Sequence, residues 1–296
     1  MNCNSPQIDA LLREALIEDH AAHDVTTQLT VDAELRGVAR ILARQEMIVC
    51  GLGVIERFFE HFAELSPSGS ARACYTVEIQ PGIADGVRVQ DGQVLAVIHH
   101  RAAALLSCER VILNLMQHLS GIATEARRYV DAIEGTGARL LDTRKTIPGL
   151  RVMEKYAVAC GGGTNHRLDL ASGILIKNNH IALGGGVKAA VQAALAGRTV
   201  GARVQVEVRT PAELDEALAA GAEAVLLDNM TPEEVRRSVE RIHAAGKAQI
   251  PAEASGGITL ASIRAYAEAG ADFISVGALT HSSPAADISM RIEVEK

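Results

Sequence analysis

The sequence predicts an α/β protein whose second half is a barrel of alternating strands and helices. Six apolar segments of that half are predicted strands, at residues 138–142, 173–177, 204–208, 224–228, 250–254 and 273–276. Helix start signals lie between several of them, since Thr210 and Thr231 each precede a proline and Thr259 offers a further cap. Repeated strand–helix units imply a parallel sheet with helices outside it, open or closed. We favour a barrel and leave an incomplete one open, because six strands are few for the usual eight.

The first half of the sequence does not alternate strands and helices in this way. An amphipathic helix opens it, with one apolar face formed by Ile8, Leu11, Leu12, Ala15 and Leu16. Short predicted strands follow at residues 35–44, 73–79 and 93–98, separated by glycine-containing turns. The adjacent His99 and His100 are assigned to a loop. A long helix from about residue 102 to 133 then leads into the second half, and Gly121 marks a place where it could break.

The C-terminal residues 286–294 alternate apolar and polar side chains with a period of two, which predicts a strand. We expect this strand to return to the N-terminal sheet. The predicted division is therefore an N-terminal α/β domain at residues 1–115, joined by residues 285–296, and a barrel at residues 116–284.

Composition narrows the classes of function. The chain has 296 residues, 48% of them hydrophobic, with a net charge of −7 and no tryptophan. An acidic, aromatic-poor protein is a poor candidate for nucleic-acid binding. The pattern of the first residues, with early carboxylates and no unbroken apolar run, predicts neither a signal peptide nor a membrane span. Cysteines at positions 3, 50, 74, 108 and 160 form no CxxC pair, which favours reduced thiols in the cytoplasm.

Positive charge is concentrated in one segment of this acidic chain. Residues 143–168 hold five Lys or Arg and a single carboxylate, Glu154, and Arg144 and Lys145 are adjacent. Such a cluster is either solvated by water or neutralised by an external anion. Arg151 and Lys155 lie at helical spacing around Glu154, so local ion pairs on a solvated face are expected for them.

The ends of the predicted barrel strands carry charged residues and glycines in a definite order. In a βα barrel the chemistry gathers at the carboxyl ends of the strands. These ends hold Arg144 and Lys145, then Lys177, Glu207, Asp228, Glu253 with Ser255, and finally Gly277. His166 and Arg167, which follow the glycine run 161–163, add an imidazole and a guanidinium to the same region.

Two late loops are candidate phosphate sites. The loops are Ser255-Gly256-Gly257 and Val276-Gly277-Ala278, and each follows a predicted strand and precedes a helix. Glycines allow backbone N–H groups to approach an anion, and a helix N-terminus adds partial positive charge. The alternative is that these glycines serve only the turns.

The remaining strand ends allow more than one chemistry. Glu207 and Asp228 end adjacent strands at matching positions and suit Mg²⁺, which takes one or two protein oxygens and completes its shell with water and phosphate. They could instead only pair with nearby cations. Lys177 ends an apolar strand and could form a Schiff base or bind an anion.

The ordered motifs closely resemble the quinolinate phosphoribosyltransferase family. They cover nearly the whole chain: EDHAAHDVTT, CERVILNLMQHLSGIAT, DTRKTIPGLR, KYAVACGGGTNHR, LIKNNHI, VEV, LLDNM, EASGGI and ISVGALTHS. The resemblance implies an N-terminal α/β sandwich-like domain and an incomplete, seven-stranded α/β barrel. It also implies transfer of phosphoribosyl from phosphoribosyl pyrophosphate to quinolinate, with loss of CO₂, and a homodimer whose active sites are shared between subunits.

The resemblance also implies roles for individual residues. The quinolinate carboxylates are expected to face Arg144, Lys145, His166 and Arg167, with Arg110 contributed by the partner subunit, and Thr143 is a further substrate-binding residue. The residues expected to be catalytic are Lys145, Lys177, Glu207 and Asp228. Lys177 is expected to face pyrophosphate or ribose, and Glu207 and Asp228 the ribose hydroxyls and Mg²⁺. The loops at 255–257 and 276–278 are expected to hold the 5-phosphate. The rival hypotheses are a relative acting on another aromatic acid or in molybdate metabolism, a Schiff-base lyase using Lys177, and a non-catalytic anion-binding module.

Overall fold

The computed structural model describes residues 5–66 and 75–295. Its contacts divide the chain into two compact units. The first comprises residues 1–127, 147–162 and 282–296, and the second comprises residues 128–146 and 163–281, within the described residues. The predicted domain boundary at residues 115 and 116 stays a prediction.

The first unit is built on an antiparallel sheet with strand order β12-β1-β5-β3. Its strands are β1 (Arg36–Ala43), β3 (Thr76–Ile79), β5 (Val94–Arg101) and β12 (Ile288–Val294). A small ladder pairs β2 (Met47–Ile48) with β4 (Arg88–Val89). Residues 73 and 74 of one predicted strand lie outside the described residues. β12 pairs along the whole of β1 from Gly37 to Ala43, so the last strand of the chain belongs to the N-terminal sheet.

Among the described residues, five α-helices lie wholly or mostly in this unit. They are α1 (Pro6–Glu18), α2 (Val25–Thr30), α3 (Val54–Leu65), the long α4 (Ala102–Ala132) and α5 (Arg151–Cys160). The predicted apolar face of α1 is confirmed, since Ile8, Leu12 and Leu16 are buried. Among the described residues no helix is long and apolar enough to cross a membrane. Cys50, Cys108 and Cys160 are free thiols, while Cys3 and Cys74 lie outside the described residues.

Two interpretations of the first unit are wrong. His99 and His100 are not in a loop but end β5, where His100 is buried and stacks on Tyr75 with ring centroids 5.1 Å apart. Glu154 and Lys155 are not on a solvated face, because they are 0% and 2% exposed. The carboxylate of Glu154 instead lies 2.8 Å from Nε2 of His118. Spacing along a helix could not reveal this burial, which depends on α4.

Helix α4 does not break at Gly121. A glycine stands there because another backbone segment passes close by: an added Cβ would lie 2.0 Å from the carbonyl oxygen of Pro284. Gly161 has a similar packing role at the end of α5, since its Cβ would lie 2.4 Å from the carbonyl oxygen of Ala123. Gly161 is the residue that directly follows the last turn of α5, and this close approach explains why a glycine stands there.

We predict that Gly121→Ala destabilises the protein. The clash with a backbone oxygen should lower the free energy of unfolding by about 1–3 kcal/mol, although alanine improves helix propensity by about 1 kcal/mol. Thermal denaturation measures the effect. Gly197→Ala is the matched control, because this helical glycine has nothing within 4 Å of an added Cβ. Equal melting temperatures for the two variants would contradict the prediction.

The second unit is an open barrel of parallel strands in the order β6-β11-β10-β9-β8-β7. All six predicted strands are present: β6 (Arg139–Leu141), β7 (Ile174–Ile176), β8 (Val204–Val208), β9 (Ala224–Asp228), β10 (Ala252–Ser255) and β11 (Phe273–Ser275). The resemblance implied seven, and in the described residues the seventh position holds only a parallel bridge from Thr164 to Leu141. The glycine-rich segment around Thr164 forms no longer ladder, so the barrel stays incomplete.

Helices connect these strands. They are α6 (Asn178–Leu183), α7 (Val187–Gly197), α8 (Pro211–Ala220), α9 (Pro232–Ala244), α10 (Ile263–Glu268) and α11 (Ala278–His281). The caps at Thr210 and Thr231 are confirmed, because each hydroxyl accepts a backbone N–H three residues on. Thr259 is not a cap. It lies in a turn before α10, and its carbonyl oxygen accepts the N–H groups of Ser262 and Ile263.

Candidate active site

A cavity of about 620 Å³ opens at the carboxyl ends of the barrel strands. Apart from Arg110, every residue predicted for the site lines it: Thr143, Arg144, Lys145, His166, Arg167, Lys177, Glu207, Asp228, Ser255, Gly256, Gly257, Val276, Gly277 and Ala278. The prediction did not assign roles to further lining residues, among them Asn229, Glu253, Thr259, Ser275 and His281. Arg110 belongs to the first unit and is exposed on α4.

Two guanidinium groups form the cationic side of the cavity. Burial, and then the charge of the nearby Arg144, lower the pKa of Arg167 from its usual value. Nε of Arg144 is buried and donates no hydrogen bond to any described residue. Like charges brought together with a buried donor unsatisfied are costly unless an anion completes the site. Three of the five cations that the sequence concentrates in residues 143–168, namely Arg144, Lys145 and Arg167, therefore line this cavity.

Contacts at the backbone N–H and at both ring nitrogens fix the position of His166. Its backbone N–H donates to Oδ1 of the buried Asp142 at 2.8 Å, and its Nδ1 accepts the N–H of Arg167 at 2.7 Å. Its Nε2 lies 3.3 Å from Oε2 of Glu253. Nη1 of Arg167 donates to the carbonyl oxygen of Gly173 at 3.0 Å. The imidazole and the guanidinium thus have fixed orientations at the cavity wall.

Glu253 is a buried carboxylate at the floor of the cavity, 3% exposed. Burial opposes its ionisation, but hydrogen bonds from His166, Gln205 and Ser275 outweigh burial, and the pKa of Glu253 lies below its ordinary value. The bond from Nε2 of Gln205 to Oε2 is 2.7 Å long. Sequence analysis placed Glu253 at the end of a strand but predicted no role for it.

Carboxylates form the opposite side. Oε2 of Glu207 lies 3.6 Å from Nζ of Lys177, and Oδ2 of Asp228 accepts from Nε of Arg209 at 3.1 Å. Arg209 also approaches Glu207, with Nη2 3.6 Å from Oε1. Sequence analysis missed Arg209, although it directly follows a strand. It bridges the two carboxylates.

The sequence suggested that Glu207 and Asp228 lie at matching positions on adjacent strands. This prediction is wrong. Glu207 is in register with Leu226, so Asp228 lies two residues nearer the carboxyl end of the sheet. Glu253 is also in register with Leu226, and Ser255 with Asp228. Because side chains two residues apart share a face of a strand, the cavity has a deeper acidic layer and an outer one.

The glycine loop after β10 has the backbone needed to hold an anion. Gly256 and Gly257 have φ angles of +105° and +61°, which favour glycine. Their N–H groups donate no hydrogen bond to any other described residue. A Cβ on Gly256 would lie 2.2 Å from Oδ1 of Asn229, whose own N–H donates to the carbonyl oxygen of Ser255 at 2.8 Å. After β11, a Cβ on Gly277 would lie 2.9 Å from Cδ of Lys145.

Metal binding has a limited set of donors. Residues 5–66 and 75–295 contain no group of three or more His, Cys, Asp or Glu side chains that could hold a metal ion. Glu207 and Asp228 alone are a donor set of the kind that Mg²⁺ uses when substrate phosphates and water supply its other ligands. The residues therefore fit Mg²⁺ bound together with a phosphorylated substrate.

The fold and the cavity define an α/β-barrel protein with a charged cavity at the carboxyl ends of its parallel strands. Residues 24–120 match the family model of the N-terminal domain of quinolinate phosphoribosyl transferase, and residues 122–291 match that of the C-terminal domain. The chain belongs to the quinolinate phosphoribosyl transferase family.

Individual relatives agree over almost the full length. A probable carboxylating nicotinate-nucleotide pyrophosphorylase of Bacillus subtilis is 42% identical, over 98% of this chain and 94% of that protein. A carboxylating nicotinate-nucleotide pyrophosphorylase of Mycobacterium leprae is 40% identical, over 94% and 95%. The solved structure of nicotinate-nucleotide pyrophosphorylase from Francisella tularensis is 38% identical, with a TM-score of 0.84 over 98% of each chain. The two-domain α/β fold is thus confirmed.

Proposed function

We propose that the protein transfers the phosphoribosyl group of phosphoribosyl pyrophosphate to quinolinate. Quinolinate then loses CO₂, and the products are nicotinate mononucleotide and pyrophosphate for NAD biosynthesis. The observation that carries the proposal is the close approach of the Arg144 and Arg167 guanidinium groups, which lie in the same cavity as the carboxylates Glu207 and Asp228 and a glycine loop. Each of these parts matches one charged region of the two substrates.

Quinolinate binds on the cationic side. Its adjacent carboxylates accept hydrogen bonds from the guanidinium groups of Arg144 and Arg167, which offer paired donors in a plane. Lys145, Thr143 and His166 complete this side. The bound dicarboxylate neutralises the repulsion between the guanidinium groups, and the pyridine nitrogen is directed toward the ribose.

Phosphoribosyl pyrophosphate binds across the other strand ends. The free N–H groups of Gly256 and Gly257 hold the 5-phosphate, together with Ser255 and the loop at Val276, Gly277 and Ala278. Glu207 and Asp228 accept hydrogen bonds from the ribose hydroxyls. Lys177 faces the pyrophosphate, because its ammonium group is at the cavity wall beside Glu207.

The reaction is a displacement at the anomeric carbon. The carboxylates of Glu207 and Asp228 stabilise the positive charge that develops on the ribose, and Lys177 stabilises the departing pyrophosphate. When bound by Glu207, Asp228 and the substrate phosphates, Mg²⁺ supplies further stabilisation of negative charge on the leaving group. N-ribosylation creates a cationic pyridinium ring, which stabilises the electron pair left on the ring carbon when the adjacent carboxylate leaves as CO₂. That carbon then takes up a proton from solvent to give nicotinate mononucleotide. Catalysis is therefore mainly positioning and electrostatic stabilisation.

The enzyme acts as a cytoplasmic homodimer in this proposal. Arg110 is exposed on α4. It would enter the quinolinate site of the partner subunit and add a further guanidinium there. Free thiols at Cys50, Cys108 and Cys160 are typical of a reducing compartment.

One assay tests the function. The purified protein is incubated with quinolinate, phosphoribosyl pyrophosphate and Mg²⁺, and we expect nicotinate mononucleotide, pyrophosphate and CO₂ in equal amounts. Chelation of Mg²⁺ should stop the reaction, and added Mg²⁺ should restore it. Trapping of a carbonyl substrate on Lys177 by borohydride would support a Schiff-base lyase instead. Binding of both substrates without turnover would support a non-catalytic module.

We predict that Arg144→Lys weakens quinolinate use despite the conserved charge. Lysine cannot reproduce the planar, two-donor contact of guanidinium with a carboxylate, so kcat/KM for quinolinate should fall at least about tenfold, or about 1.4 kcal/mol. Steady-state kinetics with each substrate varied in turn measures the loss. Arg237→Lys, at an exposed position on α9, is the control. Unchanged kinetics of Arg144→Lys would remove Arg144 from the substrate contacts.

A further inference from the structure

Glu253 is a buried carboxylate on β10. A charged carboxylate that is 3% exposed is costly unless other groups compensate it. Gln205 and His166 both approach the same oxygen, Oε2, at 2.7 and 3.3 Å. Oε2 is therefore an acceptor, and these hydrogen bonds hold the pKa of Glu253 below its ordinary value despite its burial. Glu253 therefore presents a fixed negative charge to His166.

The two ring nitrogens of His166 have different partners. Nδ1 accepts the backbone N–H of Arg167 at 2.7 Å, which requires that Nδ1 carries no proton. The ring proton is then on Nε2, which faces Glu253. If the proton moved to Nδ1, the hydrogen bond from Arg167 would be lost. The tautomer of His166 and the backbone of Arg167 are thus linked.

We propose that Glu253 is a positioning residue that acts through His166 on Arg167. Its carboxylate holds the proton of His166 on Nε2, which leaves Nδ1 free to accept the N–H of Arg167. The Arg167 side chain is fixed at its other end by the bond from Nη1 to Gly173. Through this chain of contacts, a carboxylate beneath the cavity orients the guanidinium that receives a substrate carboxylate. Carboxylates orient histidine rings in this way in metal and nucleophile sites.

The proposal rests on the proposed function only for the identity of the ligand that Arg167 binds. The tautomer of His166 is a property of the protein alone. Two kinds of measurement therefore separate a failure of the positioning role from a failure of the proposed function.

The first measurement is the tautomer in the wild-type protein. Nitrogen-15 labelling of histidine, with His166→Asn to assign the signals, should show a protonated Nε2 and an unprotonated Nδ1. In Glu253→Gln, which keeps the side-chain volume, an amide can present N–H to the ring, and the His166 signals should shift toward the other tautomer. A wild-type ring protonated on Nδ1 would overturn the proposal.

The second measurement is ligand affinity by calorimetry. Glu253→Gln should raise the Kd for quinolinate about tenfold, with the Kd for phosphoribosyl pyrophosphate changed less than about twofold. Glu268→Gln is the matched control, because this exposed carboxylate pairs with Arg264 on its own helix, at 2.8 Å, and lies outside the cavity lining. It should leave both affinities unchanged.

Each other outcome counts against the proposal. A shifted tautomer with unchanged quinolinate affinity would break the link to Arg167. Equal loss for both ligands would mean that the variant damages β10. If circular dichroism shows that Glu253→Gln does not fold, Glu253→Asp, which keeps the charge but shortens its reach, must show the same selective loss. Failure of the wild-type protein to bind quinolinate would refute the proposed function and leave the tautomer result standing.

Discussion

Gly256→Ala should nearly abolish use of phosphoribosyl pyrophosphate. An added Cβ would lie 2.2 Å from Oδ1 and 2.9 Å from the backbone nitrogen of Asn229, and the φ angle of +105° already excludes most side chains. The loop must therefore move, and the N–H groups of Gly256 and Gly257 no longer point toward the 5-phosphate. We expect kcat/KM for phosphoribosyl pyrophosphate to fall at least about a hundredfold, because displacements of about 1 Å cost this much. Quinolinate binding should be largely retained.

Calorimetry with each ligand separately checks this selectivity. Gly246→Ala is the control, since its φ of +70° carries a similar backbone cost but nothing lies within 4 Å of an added Cβ. It follows α9, outside the cavity lining. Equal losses of both ligands in Gly256→Ala would indicate a folding defect and contradict the assignment of this loop.

Mixing two inactive variants should restore activity if Arg110 acts in the partner subunit. Arg110→Ala and Lys177→Ala should each be nearly inactive as pure dimers. In a hybrid dimer, one site carries both defects and the other carries neither. Random pairing makes about half the dimers hybrids, with half of their sites intact, so roughly a quarter of wild-type activity should return. Unfolding and reassembling an equal mixture, followed by the nicotinate mononucleotide assay, measures it.

The structure offers a matched negative control for this experiment. Arg144 and Lys177 line the same cavity of one chain. Hybrids of Arg144→Ala with Lys177→Ala therefore leave every site with one defect, and no activity should return. Two different affinity tags show that hybrids have formed. If verified hybrids of Arg110→Ala with Lys177→Ala stay inactive, Arg110 does not act across an interface.

The barrel could be predicted from sequence because its signals are local. Each strand is a short apolar run, and Thr210 and Thr231 mark helix starts by capping hydrogen bonds that span only three residues. The carboxyl ends of parallel strands meet at one edge of the sheet. The sequence alone therefore predicts that residues far apart along the chain, such as Arg144 and Asp228, share one cavity. The roles assigned to them remain predictions.

Burial and close approach could not be predicted in the same way. The spacing of Glu154 and Lys155 favoured a solvated face, but whether a helix face meets water depends on the element packed against it. Gly121 indicated a helix break by its low helix propensity, and only the backbone of Pro284 explains it. Thr259 had the residue type of a cap, yet the chain forms a turn there and the helix begins at Ile263.

The sequence by itself determined the α/β class, the barrel strands, the family and the set of charged residues at the strand ends, since each depends on period, residue type or motif order. The tertiary structure alone decided the partners of those charges. Arg209 bridges Glu207 and Asp228, and Glu253 lies beneath His166, through contacts between side chains of different strands. Such contacts depend on the register of neighbouring strands, which places Asp228 two residues beyond the level of Glu207. Register is the alignment of one strand with its neighbour, so the residues of a single strand do not determine it.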